Sequence, residues 1–417
     1  MSTFQSAKIK SVCEKVASGG TPSRKRADYF TDTGGHLWVK SKELLEKGIT
    51  DTEEKITEEG LQNSSAKFYP ANTVLVAMYG VNAGQLGWLE KPATVNQAIC
   101  ALVVDPKKAD WRFVYYSLFQ NRQNLISQAR GGAQPNLNKE MVENFEIPMT
   151  SDLPTQTRVA SVISAYDDLI ENNEKRIKAL EEMAQLLYTE WFVKFKFPTH
   201  EKVKLIDSGT EYGKIPEGWE VKTLAEVASI VRGCSYSSEE IDDFVGDYYI
   251  VNLKSFNRGG GFRFDGAKYF SGLINDNQTL SAGDIVVAVT DMTNDRAVIA
   301  RPARVPEIDG KITFSADVVK INSDVLPNSF LYEILSSYHF TEKTKQKANG
   351  ANVLHLKPAA ILEFVVLIPD VKLLKEFAIL CEPAINEVDK LVKQNDVLTK
   401  TRVLLIPQLV TGRRELK

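Results

Sequence analysis

Two stretches of the sequence place apolar residues alternately four and three positions apart, and this heptad spacing is the strongest constraint on the fold. The first runs from Val159 to Trp191 and the second from Phe377 to Leu405. The pattern predicts two long helices packed together through a seam, in which opposed asparagines fix the register at some cost in stability. The seam residues are Tyr166, Ile170, Asn173, Ile177, Leu180, Val388, Leu391, Asn395 and Leu398.

The predicted length of these helices indicates their use. At a rise of 1.5 Å per residue, a helix from Thr155 to Val193 would be about 58 Å long, which is more than a small domain needs for its own core. A helix of this length holds other parts of a chain apart. The sequence also allows two alternatives: each helix packs only on its own domain, or Asn173 and Asn395 face solvent.

The chain repeats itself once, in segments that keep the same order. KVAS at residues 15–18 matches EVAS at residues 226–229, and YPANTVLVAM at residues 69–78 matches LSAGDIVVAV at residues 280–289. Farther along, GGAQPNLNKEMVENFEIP matches NGANVLHLKPAAILEFVVLIP, which ends at Pro369. A heptad stretch follows each copy, so the sequence predicts two similar domains, each with a helical arm.

Short apolar runs bounded by Gly, Pro and Asn dominate each copy and are typical of β-strands. Examples are TVLVAM, AICALVV, DIVVAVT, ADVVKI and FVVLIP, and a helical segment is predicted at residues 112–129. We therefore expect a mixed α/β fold, largely β, in each repeated domain. The expected boundaries are 1–152 for the first domain, 153–196 for the central helix, 197–218 for a polar linker, 219–370 for the second domain and 371–417 for the C-terminal helix.

The composition is that of an ordinary soluble protein of two or more domains, with 417 residues of which 43% are hydrophobic and 25% charged. No apolar run approaches the roughly 20 residues of a membrane helix, and the polar start has no signal-peptide core. A cytoplasmic location without a membrane partner is therefore expected. The four cysteines and four histidines lack the spacing of a zinc site, and we expect the cysteines to be buried thiols.

Catalytic motifs are missing from the sequence. It contains no phosphate-binding loop, no dinucleotide-binding fingerprint after a strand, no HExxH pair and no GxSxG nucleophile elbow. Adjacent carboxylates occur at Asp167 and Asp168 and at Asp242 and Asp243, but neighbouring helical residues point apart, so we expect solvated charges there. The sequence favours a binding protein without a catalytic centre or a metal site.

The loops of the first copy are rich in glycine, amide and basic residues, as in proteins that read duplex DNA. A basic triplet at residues 24–26 follows a glycine turn and could meet phosphates, although a solvated surface triplet fits equally well. In MYGVNAGQLGW, residues 78–88, glycines permit close approach and amides offer the donor and acceptor that adenine requires, but a plain hairpin would use the same glycines. The DNA-binding candidates are Arg24, Lys25, Arg26, Lys40, Lys42, Tyr79, Asn82, Gln85, Arg130, Gln134, Asn136 and Asn138.

The second copy offers a similar composition in NLKSFNRGGGFRF, residues 252–264, and in HFTEKTKQKANGANVLHLK, residues 339–357. Because the formal net charge is −3, any positive patch has to be local. A carbohydrate-binding or protein-binding module could share this composition. The DNA-binding candidates of the second copy are Arg232, Tyr236, Lys254, Asn257, Arg258, Arg263, Lys345, Lys347, Asn349 and Asn352.

Taken in order, these segments resemble the specificity subunit of type I restriction-modification enzymes. The resemblance covers nearly the whole chain, and the order of its motifs is more specific than any one of them. The motifs are SGGTPS, AGQLGW followed by VNQAICAL, GGAQPNLNKEMVENFEIP, the stretch from RVASVISAYDD to LLYTEWF, KIPEGWEVKTLAEVA and LLIPQLVTGRREL. The second copy departs from the first at VTDMTNDRAVIA, residues 289–300, which lacks the glycines of AGQLGW.

The resemblance implies two target recognition domains, each reading one part of a split DNA sequence, and conserved helices that form an antiparallel coiled coil between them. It implies three kinds of partner: double-stranded DNA, modification subunits that methylate adenine with S-adenosylmethionine, and restriction subunits that cleave DNA with ATP. The chain itself is expected to hold no cofactor and to catalyse nothing. The rival interpretations are a hydrolase with an unrecognised active site and a two-domain scaffold for proteins or glycans.

Overall fold

The computed structural model describes residues 4–129, 136–264, 266, 268–293, 295–350 and 353–416. The chain divides into two compact units, Met1–Leu169 with Thr399–Lys417, and Ile170–Leu398. Each unit includes part of a central helix, Leu153–Tyr188, and part of a C-terminal helix, Val371–Val410. The predicted boundaries instead treated both helices as separate from the recognition domains.

The first unit is built mainly from β-sheets. One sheet has strands in the order Phe30–Thr31, Lys55–Ile56, His36–Val39, Ala93–Val95 and Phe68–Tyr69. Another has the order Cys13–Ser18, Ile99–Val104, Val74–Ala77, Leu86–Leu89 and Gly48–Ile49. A separate antiparallel pair joins Phe4–Lys8 to Glu146–Thr150.

The strand Ile99–Val104 shows why this unit folds as it does. It lies between Cys13–Ser18 and Val74–Ala77, antiparallel to both. Its residues from Ile99 to Leu102 are fully buried. A strand covered on both faces reads as a continuous apolar run, which is why AICALVV shows no alternation of apolar and polar residues.

The helix Trp111–Ser127 connects the sheet to the long helices of the first unit. The Asp110 carboxylate accepts hydrogen bonds from the backbone N–H groups of Arg112 and Phe113, and this N-cap fixes where the helix begins. Its buried residues share one apolar core with Val76, Leu102, Ile163 and Ile406, among others. The shorter helices are Ile9–Val12, Glu58–Gln62 and Lys139–Asn144.

The second unit has sheets of its own. One has strands in the order Ile241–Asp242, Lys268–Phe270, Tyr248–Val251, Lys311–Phe314 and Thr279–Leu280. Another has the order Ser229–Arg232, Val318–Asn322, Ile285–Ala288 and Pro302–Arg304. Antiparallel pairs join Glu220–Thr223 to Val365–Ile368 and Thr290–Asp291 to Leu354–His355. The helices are Leu224–Val227, Asn328–Ser336, Tyr338–Lys345 and Pro358–Leu362.

The strand orders of the two units correspond. The positions of Cys13–Ser18, Ile99–Val104, Val74–Ala77 and Leu86–Leu89 in the first unit are those of Ser229–Arg232, Val318–Asn322, Ile285–Ala288 and Pro302–Arg304 in the second. The correspondence also holds for the sheets that begin with Phe30–Thr31 and Ile241–Asp242, in which one central pair is parallel in each unit. Two of the matched pairs occupy equivalent places: residues 69–78 and 280–289 contain the central strands Val74–Ala77 and Ile285–Ala288, and the segments that end at Pro148 and Pro369 include residues of the strand before a long helix. The match of KVAS with EVAS is out of register, because KVAS ends the strand Cys13–Ser18 whereas EVAS covers the end of the helix Leu224–Val227 and the first residue of Ser229–Arg232.

The segment predicted to be a polar linker has regular structure. Leu205–Asp207 and Lys214–Pro216 form an antiparallel hairpin. Phe197 and Ile215 are buried in the core of the second unit. The prediction of a polar linker did not include this hairpin or the anchoring of the segment's apolar residues.

An aromatic cluster organises the core of the second unit. The central helix continues as a π-helical turn, Thr189–Val193, whose Phe192 ring lies 4.8 Å from Phe330 and 5.0 Å from Phe377, both edge-on. Edge-to-face pairs of this kind add about 0.5–1.5 kcal/mol each beyond the burial of their surface.

Among the described residues, no helix combines the length and the apolar character required to cross a bilayer.

Candidate nucleic-acid interface

The glycine-rich loop of the first unit joins the strands Val74–Ala77 and Leu86–Leu89. Gly80 and Gly84 have φ angles of 71° and 81°, in the left-handed region that favours glycine. A Cβ atom on Gly84 would lie 2.4 Å from the Ile126 side chain, so the loop also needs glycine for its close approach to the helix beneath. Tyr79 and Val81 project from this loop, with exposed fractions of 43% and 90%.

A second predicted segment lies beside this loop. Tyr79 forms a β-bridge with Asn136, and the backbone N–H of Leu137 donates to the Met78 carbonyl at 2.8 Å. The structure thus brings Tyr79 and Asn136 together, with Asn82 and Gln85 on the same loop. Arg130 and Gln134, which belong to the same prediction, lie outside the described residues.

Asn138 has a partner within the protein. Its side-chain Oδ1 accepts a hydrogen bond from the backbone N–H of Met141 at 2.8 Å and caps the helix Lys139–Asn144. An N-cap of this kind is a structural task that asparagine performs well. The contact supplies Asn138 with a role that does not require DNA.

The basic residues near the start of the chain are paired with carboxylates. Arg24 donates to Glu54 at 3.0 Å and stacks on the Phe30 ring at 4.2 Å, and Lys40 donates to Glu53 at 2.8 Å. The hydrogen bonds from Arg24 and Lys40 lower the pKa values of Glu54 and Glu53 to about 2. Arg26 likewise contacts Asp28 and Glu59, and Lys42 contacts Glu53. Lys25 is exposed. A phosphate that binds the paired residues has to compete with these carboxylates.

In the second unit, a triple-glycine turn carries the candidates from Lys254 to Arg263. Gly259, Gly260 and Gly261 have φ angles of 96°, 113° and 82°, so the turn depends on glycine. Asn257 donates from Nδ2 to the Phe262 carbonyl at 3.3 Å, and the exposed Arg258 side chain contacts Asp295. Lys254 is also exposed, and Arg263 has a contact of its own within the chain.

The loop that lacks the glycines of the first copy is organised by a buried carboxylate. Asp291 is only 2% exposed and accepts hydrogen bonds from the backbone N–H groups of Thr293, Val298 and Ile299 at 2.7–3.0 Å. Burial works to raise the Asp291 pKa, but these bonds together with that from the Thr293 hydroxyl lower it. Met292, next to this anchor, is 72% exposed. Asp291 was not among the site residues predicted from the sequence, although Asp is a common turn residue because its side chain bonds the backbone two residues on.

This loop has the same neighbour as its counterpart in the first unit. Thr290–Asp291 pairs with Leu354–His355, and the Leu356 N–H donates to the Val289 carbonyl at 2.7 Å, as the Leu137 N–H does to Met78. In both units, therefore, the loop after the central strand, which is Val74–Ala77 or Ile285–Ala288, contacts the segment around Leu137 or Leu356. In each unit this segment precedes the last strand before a long helix.

The remaining basic candidates of the second unit also have partners. Lys347 pairs with Glu363 at 2.8 Å, Lys345 pairs with Glu342, and the Arg296 guanidinium donates to the Lys345 carbonyl at 3.1 Å. Asn349 donates from its side chain to the Lys347 carbonyl. Arg232 and Tyr236 are exposed at the surface, and Asn352 lies outside the described residues.

The asparagines of the heptad stretches contact each other. Asn173 is 4% exposed and donates from Nδ2 to Asn395 Oδ1 at 2.9 Å and to Gln394 Oε1 at 3.2 Å. Arg176 on the central helix pairs with Glu387 on the C-terminal helix at 2.8 Å. The solvent-facing alternative for Asn173 is therefore wrong. The other predicted seam positions, Tyr166, Ile170, Ile177, Leu180, Val388, Leu391 and Leu398, are buried or half-buried.

The interpretation of Asp167 as a solvated charge is also wrong. Its side chain is 14% exposed, accepts a hydrogen bond from the Tyr116 hydroxyl and contacts the Arg402 guanidinium, which is 15% exposed. Asp168 on the next position of the helix is exposed. Burial, followed by the Asp167 charge, raises the pKa of Tyr116, so this hydroxyl stays protonated and donates.

The described residues contain no group of three or more His, Cys, Asp or Glu side chains arranged to hold a metal ion. All four cysteines are buried and free, as predicted. Burial raises the pKa of Cys13 and of Cys100 to about 12, so these thiols are protonated and unreactive at neutral pH.

Each unit carries exposed loops at matching places on a β-rich scaffold with the same strand order, and the comparison with known families shows what this arrangement is similar to. Residues 1–182 match the family described as the type I restriction modification DNA specificity domain. The resemblance inferred from the sequence is confirmed: the chain is similar over most of its length to specificity subunits of type I restriction enzymes.

Particular relatives are found among the archaea and bacteria. The specificity subunit of the type I restriction enzyme MjaIX from Methanocaldococcus jannaschii is 28% identical, over 97% of this chain and 92% of that protein. The MjaVIII specificity subunit of the same organism is 25% identical, over 92% and 87%. The crystal structure of the type I restriction-modification S subunit from M. genitalium shares the fold, with a TM-score of 0.60, 16% identity and coverage of 98% of this chain and 96% of that one.

Proposed function

We propose that this chain is the non-catalytic DNA-reading subunit of a type I restriction-modification system and that its two units each read one part of a split target. The proposal is carried by the matched placement of the loops at Tyr79 and Thr290, each after the same central strand and each beside a segment that leads toward a long helix. The family match supports DNA as the partner.

Within this proposal, base edges are read from the exposed loops. In the first unit the readers are Tyr79, Asn82, Gln85 and Asn136, because amides offer both a donor and an acceptor to adenine in the major groove. In the second unit, Asn257 and Arg258 on the triple-glycine turn take this role. The basic residues, including Lys25 and Lys347, position the phosphates and add salt-dependent affinity without sequence preference.

The contacts between the two long helices support a role in setting the spacing of the two half-targets. As an antiparallel coiled coil, the central and C-terminal helices would fix the separation of the two readers through the register of Asn173 and Asn395. One turn of B-DNA is about 34 Å, so the two readers must lie at a separation that matches the spacing of the DNA grooves. An added turn of α-helix would change the length of DNA between the two half-targets.

The partners under this proposal are modification subunits, which carry S-adenosylmethionine, and restriction subunits, which use ATP. The chain directs both to the target and binds neither cofactor itself. Its contribution is recognition, so the complex and not this chain alone would methylate or cleave DNA.

The test is to co-express the chain with its cognate modification subunit and to map methylated adenines across a genome. We expect two short motifs at a fixed separation.

Inserting one helical turn between Asn172 and Lys178, with a compensating turn in the C-terminal helix, should change the separation and leave both motifs unchanged. Asn82→Ala should relax or weaken the first motif only, by about 1–3 kcal/mol for a lost base contact. Loss of both motifs together would overturn the division of labour, and a complex that ignores DNA would favour the scaffold interpretation.

A further inference from the structure

A cavity of about 250 Å³ lies in the second unit, behind the triple-glycine turn. Its walls come from the central helix, the triple-glycine turn, the helix Asn328–Ser336 and the C-terminal helix. Leu180, Tyr332 and Ile385 supply apolar surface to it. The volume is small for a drug-sized ligand and suits one flexible chain with a single head group.

Carboxyl groups outnumber cations in this cavity. Glu181, Glu182, Glu333 and Asp389 line it together with one guanidinium, that of Arg304. Arg304 is committed elsewhere, because it pairs with Asp389 at 3.1 Å and donates to Asn386 at 3.1 Å. The cavity is therefore acidic, and its cation does not reach the other three carboxyl groups.

Glu333 is the group that needs an explanation. Its side chain is on the buried face of the helix Asn328–Ser336, is only 3% exposed, lines the cavity and makes no hydrogen bond or ion pair with any other described residue. The side-chain amide nitrogen of Gln185, on the facing helix, is also buried and lacks a described partner. A buried carboxyl group without a partner is costly, so such groups in native proteins usually mark a function or a missing ligand.

The surroundings of Glu333 supply no positive charge. Tyr188 and Tyr332 are neutral beside it because burial raises both pKa values, and burial raises that of Cys381 to about 12. Burial, followed by the charge of Glu181, raises the pKa of Glu333 to about 8, and burial raises that of Asp389 to about 6 against the opposing effect of Arg304. A cation that enters would favour the ionised form of Glu333 and displace its proton.

We propose that this cavity binds an alkylammonium group, with the charged head against Glu333 and the carbon stem along Leu180, Tyr332 and Ile385. The acidic side chains of the cavity suit a head group with one positive charge, and its apolar side chains suit a flexible carbon stem. The described residues contain no cluster suited to a metal ion. The group can come from a free diamine or from a lysine side chain. The cavity shares the triple-glycine turn with a proposed DNA-reading loop. Amine binding and DNA recognition are measured separately, so failure of the amine site would leave the proposed function untouched.

The test uses the full-length chain and calorimetric titration with n-pentylamine, 1,5-diaminopentane and an N-acetyl-lysine amide, with n-pentanol as the uncharged match. We expect saturable binding of the amines with a Kd below about 1 mM, and none of n-pentanol. Repeating the titration in buffers of different ionisation enthalpy should show proton release near pH 7. Tighter binding of the lysine amide would identify a protein partner as the source, and tighter binding of the diamine would identify a free amine.

The variants separate this site from general effects of charge. Glu333→Gln, checked for folding by circular dichroism, should weaken amine binding at least about ten-fold and reduce proton release, leaving only the smaller contributions of Glu181 and Asp389. Glu181→Gln, on an exposed part of the same cavity wall, provides a second variant expected to weaken binding less. Glu174→Gln, exposed on the central helix outside the cavity, should bind as the parent does. Equal binding by the Glu333 and Glu174 variants, equal binding of alcohol and amine, or no saturable binding would overturn the proposal.

Discussion

The side-chain amide of Asn173 donates a hydrogen bond to the Asn395 side chain at 2.9 Å, although the two residues lie 222 positions apart in the sequence. The contact joins the middle of the central helix to the C-terminal helix, where Asn173 is almost fully buried. A polar pair in an apolar seam lowers the stability of the helix pair, but its hydrogen bond forms in only one alignment of the helices and so fixes their register.

Removing one member of this pair should destabilise the second unit. Asn173→Ala is expected to lower the free energy of unfolding by about 1–3 kcal/mol, because it removes a buried donor and leaves the half-buried Asn395 amide oxygen without its partner. The double replacement of Asn173 and Asn395 by leucine should recover most of this loss and weaken the preference for one register. Urea unfolding measures the stability, and Asn172→Ala, at an exposed neighbouring position, is the control. A double variant no more stable than Asn173→Ala would contradict the explanation.

The buried ion pair of Asp167 and Arg402 should be sensitive to the loss of either partner. Asp167→Ala leaves a guanidinium buried without its carboxylate, and we expect a loss of about 3–5 kcal/mol in the free energy of unfolding. Replacing both residues by leucine and methionine should cost clearly less than the single change. The exposed pair of Glu171 and Lys175 gives the comparison, since Glu171→Ala should change stability by about 1 kcal/mol or less. Similar losses of stability in Asp167→Ala and Glu171→Ala would show that the ion pair of Asp167 and Arg402 is no more important to the fold than an exposed pair.

Asp291 should make the second unit less stable in acid. Its folded pKa is lowered, so the ionised carboxylate stabilises the fold above the unfolded pKa of about 3.9, and this contribution is lost as the pH falls through that value toward the folded pKa. Unfolding measured by urea between pH 3 and 6 should show a steeper fall for the parent chain than for Asp291→Asn. Parallel pH profiles would show that the hydrogen-bonded loop does not depend on the charge.

Asn138 offers a test that separates capping from DNA reading. Asn138→Ala should lower the free energy of unfolding by about 1 kcal/mol, because the N-cap of the helix Lys139–Asn144 is lost. Asn138→Ser should restore most of the stability, since serine caps as well. Methylation mapping of the serine variant is then informative: an unchanged first motif is expected, and a relaxed motif would return Asn138 to the base-reading set.

Much of the framework could be predicted from the sequence. The heptad stretches indicated both long helices and the opposed asparagines, because seam spacing is a local property of the chain. The runs TVLVAM, AICALVV, DIVVAVT, ADVVKI and FVVLIP all contain strands. Strands buried on both faces leave a continuous apolar signal that needs no knowledge of their neighbours.

The pairing of charges could not be predicted in the same way. Residues 24–26 look like a free basic cluster in the sequence, but Glu54 pairs with Arg24, and Glu59 with Arg26, only after the chain folds. Arg402 did carry a usable signal: it stands one heptad after Asn395, at a seam position where a cation needs a carboxylate at the same level. Asp167, nearly one heptad before Asn173, is that carboxylate.

The strand pairs that close the two modules have an evolutionary consequence. Phe4–Lys8 pairs with Glu146–Thr150, and Glu220–Thr223 pairs with Val365–Ile368. The first and last strands of each repeated domain therefore lie side by side, and a long helix begins just after the last strand. Under the proposed function, the residues between the paired strands would be exchangeable as one segment while the strand pairs are kept. If the proposed function holds, recombination at two short stretches of the gene would give the chain a new DNA specificity without changes to the rest of the protein.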